Sequence, residues 1–292
     1  MPDTPPQVSV IVVTHDSLPV LTGCLQALVR AIAKTSCEII IVDNASRDLT
    51  VEEAKRLVPS ARIIPNDRNL GFAHACNQGA EIAAGEHLLF LNPDVELDAD
   101  AIVTLLAVMK DRSDAGLVSG RLRNSDGTFQ ATCRRFPTIG NMIFSRGSAL
   151  VRLFSKQSSS GARYTLPDYS ETTEVPSVAA TLVMVRRSLF EQAGGFDRRF
   201  FMFMEDADLS LRLHQLGYRN LFVPTTGGIH HWGKGAKAGR VRREYYHHVS
   251  MWKYFLKHVP NGFSVVVLPL LLLVNFLLVI LLPARGVRSD DR

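Results

Sequence analysis

Short apolar runs alternate with longer segments of helical spacing over the first 120 residues of the chain. The apolar runs are nearly continuous, which is typical of strands buried on both faces of a sheet. They predict strands at Val8–Thr14, Glu38–Val42, Arg62–Ile64, His87–Leu91 and Leu117–Ser119. The segments between them predict helices at Leu18–Lys34, Leu49–Val58, Ala73–Ala84 and Ala99–Lys110, the last with Asp98 or Asp100 as its N-cap. This alternation predicts an α/β fold with a doubly wound, mostly parallel sheet, whose ligands bind beyond the carboxyl ends of the strands.

The pattern changes after residue 120, and we expect a second, mixed half over residues 121–235. Within it, residues 155–174 are polar, Ser-rich and weakly patterned, which predicts a mobile loop that could close as a lid. A basic amphipathic segment follows at 236–262, a hydrophobic segment at 263–282 and a tail at 283–292.

The hydrophobic segment contains no charge over its twenty residues, Phe263 to Leu282. As a helix it would be about 30 Å long, enough to cross the core of a bilayer. Pro269 and Asn275 interrupt it, so a kinked span and a shallow insertion without crossing are both open. A buried helix of a soluble domain is the alternative. The N-terminus has no signal-peptide pattern, so we expect the body to stay in the cytoplasm.

The formal net charge of +5 is concentrated near this hydrophobic segment. Residues 234–258 carry seven bases and one acid. A base cluster beside an apolar segment suits an anionic lipid surface better than a nucleic-acid groove. We therefore expect the cytoplasmic face of the cell membrane as a partner, and no nucleic acid. The four cysteines have no C-x-x-C spacing and are expected to be reduced, packed thiols.

Polar clusters stand at the ends of the first, second and fourth predicted strands, at Thr14–Ser17, Asp43–Ser46 and Asn92–Asp94, and a further cluster, Asn69–Asn77, lies between them in the chain. Each is ordinary turn chemistry on its own, but together they would share one edge of the sheet. The turn after the first strand lacks the glycines of a dinucleotide fold, which argues against a dehydrogenase. Asp43 can accept the imide N–H of uracil or thymine while Thr14 contacts the base. Asp94 can present a hard oxygen to Mg²⁺ or Mn²⁺ on a pyrophosphate.

Three acids, Glu205, Asp206 and Asp208, follow the apolar run Phe200 to Met204. An apolar aromatic run indicates buried structure, so these acids could line a cleft, where a carboxylate can be tuned to accept a proton. The alternative is a solvated helix N-terminus, where the helix dipole favours acids.

These motifs together resemble the family-two glycosyltransferases, most closely the rhamnosyltransferase-like branch. The resemblance covers residues 8–235 and rests on VSVIVVTHDS, EIIIVDNAS, NDRNLGFAHACNQG, LLFLNPDVEL, VMVRRSLFEQAGGFDRRFFMFMEDADLSLR and HHWGKG, in family order. It implies a GT-A-like fold in which residues 1–235 form the catalytic domain. The nucleotide-binding half would be 8–120, and the acceptor-side half 121–235.

The resemblance also implies roles for individual residues. Asp206, the second acid of the pair with Glu205, matches the general base of an inverting single displacement. Asn92-Pro93-Asp94 fills the DxD-type position for a divalent metal, Mg²⁺ or Mn²⁺. His230, with Gly233 in a His-x-x-Gly pattern, matches a position that binds the metal or the diphosphate, and the role of His231 stays open. The expected contacts of the nucleotide sugar are Thr14, Asp43, Asn44, Asn69, Gly71, Asn77 and Asp94.

Three departures from the family pattern stand out. Asp16 replaces the usual Asn near the first strand, and Ala179-Ala180 replace the usual Ser-Gly on the acceptor side. The Gln-x-x-Arg-Trp motif of processive synthases is absent after Asp206. This absence predicts one sugar added per event.

We therefore expect transfer of a single sugar from a TDP- or UDP-linked donor to a saccharide acceptor, carried on a lipid, in cell-surface polysaccharide synthesis. The resemblance favours rhamnose as the sugar. The alternatives are a transferase of another hexose, a nucleotidyltransferase and a catalytically inactive membrane scaffold. The nucleotidyltransferase would require a Gly-rich, basic phosphate loop early in the chain, and none is present.

Overall fold

A computed structural model describes residues 5–139, 165–233 and 239–281 of the chain. The chain divides into two compact units. The first unit comprises Met1–Phe136, Thr165–Phe201 and Glu205–Lys237. The second comprises Pro137–Tyr164, Met202–Met204 and Ala238–Arg292.

The first unit is built on one large sheet whose strand order is β3-β2-β1-β4-β11-β6-β12-β5, with β7 paired to β6 and β9 paired to β12. A separate small sheet pairs β8 with β10. The strands are β1 (Val8–Thr14), β2 (Cys37–Asp43), β3 (Arg62–Pro65), β4 (His87–Leu91), β5 (Val95–Leu97), β6 (Ala115–Arg123), β7 (Phe129–Gln130), β8 (Cys133–Arg134), β9 (Thr173–Val175), β10 (Ser177–Val178), β11 (Leu182–Arg186) and β12 (Arg219–His230).

The sheet is parallel on one side and mixed on the other. Strand β1 runs parallel to β2 and β4, and β2 runs parallel to β3. Strand β11 then enters antiparallel between β4 and β6. The four predicted strands up to Leu91 are confirmed to within a residue, and the fifth is the middle of the longer β6. The sequence did not predict the insertion of β11, because strand order depends on pairing between distant segments rather than on local periodicity.

Helices cover both faces of this sheet: α1 (Leu18–Ala31, continued by a 3₁₀ turn at Ile32–Lys34), α2 (Thr50–Leu57), α3 (Phe72–Ile82), α4 (Ala101–Asp111), α5 (Arg187–Gln192) and α6 (Glu205–Gln215). Alternate residues of β1 face opposite sides. Val10 and Val12 pack with α1 and α4 in one core, while Ile11 and Val13 pack with α3 in the other. This two-sided burial explains why the parallel strands are continuously apolar. The expected doubly wound fold is confirmed.

Two local expectations changed in the structure. Asp100 is the residue that precedes α4, but its carboxylate accepts a hydrogen bond from Thr226 (2.8 Å) and does not cap the helix. Residues 155–164 of the predicted loop lie outside the described residues. At its other end, Thr165 bridges Arg134, Leu166 is buried and Thr173 begins β9, while residues 167–172 between them form an irregular and largely exposed stretch.

The second unit contains α7 (Arg240–His258), a π-helical turn at Phe263–Val267 and α8 (Leu268–Leu281). The stretch Phe263–Leu281 is long and apolar enough to cross a membrane by length and composition, and 22% of its most apolar window is buried. Leu282, Lys234, Lys237 and the arginines of the tail lie outside the described residues.

Candidate functional site

The ends of β1 and β2 bring Thr14 and Asp43 together, since the two residues are direct neighbours in the parallel register. Thr14 Oγ1 donates a hydrogen bond to Asp43 Oδ1 (2.7 Å). The backbone N–H and the hydroxyl of Ser46 donate to the two oxygens of the same carboxylate, at 2.9 and 2.5 Å. Thr14 and Asp43 are buried, so the carboxylate is held in one orientation.

A second group of hydrogen bonds ties the loop before α3 to the end of β2. The Asn44 side chain donates to the Gly71 carbonyl (3.3 Å) and accepts from Asn66 (3.0 Å). Asn69 accepts from the Gly71 N–H (2.9 Å). Gly71 has φ 87°, and a Cβ there would lie 2.8 Å from Cδ2 of Phe201. A glycine is therefore required where this loop approaches the segment that leads to the acid cluster.

Asn77 lies inside α3, where both ends of its amide bond the backbone of Phe196. Its Nδ2 donates to the Phe196 carbonyl (2.7 Å), and its Oδ1 accepts from the Phe196 N–H (2.9 Å). Asn77 is 8% exposed. The structure thus gives this residue a bridging contact to the chain after α5, a role that its motif did not indicate.

Asp94 follows β4, and the antiparallel pairing of β12 with β5 brings His230 next to it. Oδ1 of Asp94 lies 3.2 Å from Nε2 of His230. This oxygen is buried and accepts no hydrogen bond from the described residues. An orphaned carboxylate oxygen beside a ring nitrogen is unfavourable without a shared partner. A carboxylate oxygen is a ligand that suits Mg²⁺ and Mn²⁺, and a neutral imidazole nitrogen is a common metal ligand in proteins. The pair therefore fits a divalent cation held between them.

Gln130, in β7, sets the tautomer of His230. The ring Nδ1–H of His230 donates to Oε1 of Gln130 (2.5 Å), which leaves the lone pair of Nε2 on the side of Asp94. The neighbouring His231 is engaged elsewhere, since its Nε2 lies 2.8 Å from Oε1 of Glu96 and its Nδ1 lies 2.9 Å from Oγ of Ser125. Of the two histidine side chains, that of His230 is the one placed at the carboxylate of Asp94, whereas His231 donates its backbone N–H to the Asp94 carbonyl (2.8 Å).

The three acids lie in the first turn of α6, but their environments differ. Asp208 is fully buried and forms an ion pair with Arg212 (2.8 Å). Glu205 is 7% exposed, and its Oε2 has no hydrogen-bond partner among the described residues. Burial raises the pKa of Glu205 to about 8, and the charge of Asp206 adds to the shift. Asp206 is partly exposed, and its Oδ1 accepts from the Ala207 N–H (2.7 Å).

The backbone that enters this helix is strained. Phe203 and Met204 have φ of 69° and 70°, a region that costs a side-chain-bearing residue about 1–3 kcal/mol. Within the second unit, Ser250 of α7 donates to the Met202 carbonyl (2.8 Å), and the Phe203 ring packs edge-on against His247. Residues of α7 thus contact Met202 and the strained Phe203, which lie just before Glu205 in the chain.

The departures from the family pattern have local roles. Asp16 adopts φ 47°, which an aspartate tolerates, and its carboxylate accepts from the Arg47 N–H (2.6 Å). It therefore shapes the turn after β2. Ala179 and Ala180 are buried, at 8% and 6% exposure.

Three polar residues of these clusters were not among the predicted site residues: Ser46, Asn66 and Gln130. Ser46 lies in the same polar cluster as Asp43, so its proximity could have indicated a role. Asn66 also directly follows a strand, β3. Gln130 is separated from His230 by 100 positions and lies in no motif, so no local signal could have found it.

Comparison with known proteins agrees with this architecture. Residues 9–194 match Glycosyl transferase family 2. The N-acetylglucosaminyl-diphospho-decaprenol L-rhamnosyltransferase of Mycobacterium tuberculosis is 32% identical over 246 residues, which cover 79% of this chain and 77% of that protein. Rhamnosyltransferase WbbL of Escherichia coli is 29% identical over 150 residues, 51% of this chain and 53% of that protein.

Among solved structures, mannosyltransferase PcManGT from Pyrobaculum calidifontis, in complex with GDP-Man and Mn²⁺, superimposes with a TM-score of 0.59. The match has 18% sequence identity and covers 95% of this chain and 75% of that one, so it bears on the fold alone. The sheet order, the family match over most of the chain and the sequence identity to rhamnosyltransferases all indicate the same family. The chain belongs to the family-two glycosyltransferases, has the GT-A fold and is a member of the rhamnosyltransferase-like branch.

Proposed function

We propose that this glycosyltransferase moves one sugar, with inversion, from a nucleoside diphosphate to a lipid-linked saccharide in cell-surface polysaccharide synthesis. The name of the M. tuberculosis relative describes a lipid-linked acceptor and rhamnose as the sugar. We take TDP-rhamnose as the first donor to test and a UDP-sugar as the second. The observation that carries the proposal is the buried, orphaned Oδ1 of Asp94 beside Nε2 of His230.

The nucleotide would bind along the carboxyl edge of β1, β2 and β4. Asp43, oriented by Thr14 and Ser46, would accept the imide N–H of the base. Asn44, Asn69 and Gly71 would shape the adjoining wall of the site through their mutual hydrogen bonds. Asn77 would support this wall from within α3 rather than touch the donor.

Asp94 and His230 would hold a divalent cation, Mg²⁺ or Mn²⁺, with Gln130 orienting the histidine. The bound cation would neutralise charge on the leaving diphosphate. The carboxylate oxygen of Asp94 suits either metal.

Asp206 would act as the general base. In an inverting displacement, the acceptor hydroxyl attacks the anomeric carbon, the bond to the diphosphate oxygen breaks and the hydroxyl proton passes to the base. Of the three acids, Asp208 is engaged by Arg212 and Glu205 is buried with a raised pKa. Asp206 is partly exposed, which leaves it as the carboxylate able to meet an incoming hydroxyl.

The apolar stretch Phe263–Leu281 would attach the enzyme to the cytoplasmic face of the membrane, where a lipid-linked acceptor is embedded. This placement would bring acceptor and enzyme to the same surface.

A donor panel tests the proposal. The purified full chain would be incubated with a lipid-linked saccharide acceptor and with TDP- or UDP-sugars, in Mg²⁺, in Mn²⁺ and in excess EDTA, and release of the nucleoside diphosphate would be measured. We expect TDP-rhamnose to be turned over with metal and not with EDTA. Undiminished release in EDTA would refute the metal site, and release from none of the donors would refute the proposed donor class.

A further inference from the structure

Helix α8 and the turn before it leave a broad apolar face uncovered, and one row of residues runs along this face. Val266, Leu270, Leu273 and Leu277 are spaced four, three and four residues apart, and each is 47% to 60% exposed. This spacing places them on one face of the helix. A soluble surface rarely exposes such a continuous apolar row, so the row indicates a docking surface.

Helix α7 lies antiparallel to α8 along almost its whole length. At one end, the Arg240 guanidinium donates to the Val279 carbonyl. In the middle, Asn275 Nδ2 donates to Nε2 of His248 (2.9 Å). Towards the other end, Trp252 Nε1 donates to the Ser264 carbonyl (3.1 Å). The two helices therefore form a closed hairpin, here called the α7–α8 hairpin.

These contacts also explain the polar residue within the apolar stretch. Asn275 does not face outward with the leucines, because its amide bonds His248 of α7. His248 in turn donates from Nδ1 to the Glu244 carbonyl (2.7 Å). The polar groups are thus satisfied inside the hairpin, and the outer row of α8 is purely apolar.

Bases run along the flank of α7. Arg242, Lys253 and Lys257 are eleven and four residues apart, which places them on one stripe of the helix. Tyr245, Val249 and Leu256, also four and seven residues apart, form an apolar stripe between these bases and α8. Across the hairpin the order is therefore apolar row, mixed apolar stripe, basic stripe.

We propose that the α7–α8 hairpin lies in the plane of an anionic bilayer surface and that neither helix crosses it. The apolar row of α8 would enter the acyl boundary, and the basic stripe of α7 would face lipid phosphates. This inference deepens the membrane attachment in the proposed function and rests on it.

The distance over which the bases of α7 are spread distinguishes a hairpin that lies in the plane of the membrane from one that crosses it. From Arg242 to Lys257 the basic stripe extends about 22 Å along the axis of α7. Because α8 runs alongside, a crossing α8 would carry these charges through most of the hydrocarbon core, which is about 30 Å thick. In the plane, all three charges stay at one depth, among the headgroups.

Vesicle binding tests the apolar row of α8 and the basic stripe of α7. Full-length protein would be floated with vesicles of phosphatidylcholine alone or with added phosphatidylglycerol. Leu273→Asp should lower binding at least about tenfold on both, while Leu49→Asp, an equally apolar and 63% exposed site in the first unit, should not. Arg242→Ala should lower binding about fivefold on the anionic vesicles only. Equal binding of Leu273→Asp and Leu49→Asp would overturn the docking surface.

Thiol labelling tests the topology. Ser289→Cys, in the tail, and Ser60→Cys, exposed in the first unit, would be placed in a Cys37→Ser background, because the other cysteines are buried. A membrane-impermeant maleimide would be added to spheroplasts and to inverted vesicles. We expect both thiols to react in inverted vesicles only. Reaction of Ser289→Cys in spheroplasts would show a crossing and overturn the proposal.

Donor turnover by the same variants in detergent separates this inference from the proposed function. If Leu273→Asp loses vesicle binding but retains turnover with a soluble acceptor, the hairpin is supported. If every protein is inactive in detergent while the labelling pattern is as expected, the proposed function is refuted and the in-plane placement of the α7–α8 hairpin is still supported.

Discussion

At the scale of single residues, the acids at the start of α6 differ in burial and therefore in chemistry. Asp206→Asn keeps the shape of the side chain and removes its basicity. Turnover should fall about 10²-fold or more, with the donor dissociation constant unchanged. The measurement is single-turnover transfer at saturating donor and acceptor, with Asp126→Asn, an exposed acid in a turn, as the control. Near-normal turnover of the Asp206 variant would remove Asp206 from the role of base.

The neighbouring Glu205 should make stability depend on pH. Its pKa in the folded chain is about 8, raised chiefly by burial, against an ordinary value of 4.5. Between these values the folded state binds a proton that the unfolded state has released, so stability should fall as pH rises from about 5 to about 8. Glu205→Gln should flatten this decline and make the protein more stable than wild type at pH 8.

Urea unfolding at several pH values would measure this effect, with Glu52→Gln, an exposed acid, as the matched control. The control should follow the wild-type decline. A Glu205→Gln variant with the same pH dependence as wild type would show that Glu205 is already ionised when buried.

Gln130 should matter for metal affinity although it is no metal ligand. Gln130→Ala frees the ring of His230 and should weaken Mn²⁺ binding about 10- to 100-fold in the presence of a nucleoside diphosphate. Electron paramagnetic resonance of Mn²⁺ gives this affinity without any turnover. Ser125→Ala removes the partner of His231 instead and should leave the affinity unchanged. Equal Mn²⁺ affinity of wild type, Gln130→Ala and Ser125→Ala would mean that the bond from Gln130 to His230 does not set the metal affinity.

At the scale of elements, the loop before α3 depends on a glycine for two separable reasons. Gly71 and Gly127 both have positive φ, 87° and 84°. A Cβ at Gly127 meets nothing within 4 Å, whereas one at Gly71 would press on Phe201. Both alanine variants should lose about 1 kcal/mol of stability to backbone strain. Gly71→Ala should lose more, because its Cβ would clash with the backbone oxygen of Phe201.

Only Gly71→Ala should also lose donor affinity, because the clash shifts the loop that carries Asn69 and bonds Asn44. Thermal unfolding and donor titration together separate the two effects. Equal donor affinity of the two variants would show that the approach of this loop to Phe201 does not shape the site.

At the scale of the whole molecule, surface attachment and chemistry should be separable. Leu273→Asp changes only the exposed row of α8. Its turnover on an acceptor embedded in anionic vesicles should fall at least about tenfold, and its turnover on a soluble acceptor analogue should match wild type. Both rates would be measured by release of the nucleoside diphosphate. A parallel loss on both acceptors would indicate that the hairpin supports the catalytic unit itself.

The sequence by itself determined the local elements and the chemistry placed at their ends. The strands β1 to β4 and helices α1 to α4 match the expected positions closely, because burial on both faces and helical periodicity are local properties of the chain. The polar residues after β1, β2 and β4 share one sheet edge because parallel strands end on the same side.

Only the tertiary structure decided how distant segments meet. The insertion of β11 between β4 and β6, the bond from Gln130 to His230 and the pairing of α7 with α8 all join residues far apart in the chain. It also decided which acid of the group 205–208 is exposed, since Glu205 and Asp208 differ from Asp206 by burial and partners rather than by residue type. Local periodicity carries no information on such contacts. A short stretch of sequence shows whether that stretch forms a helix or a strand, but it does not show which other element packs against it.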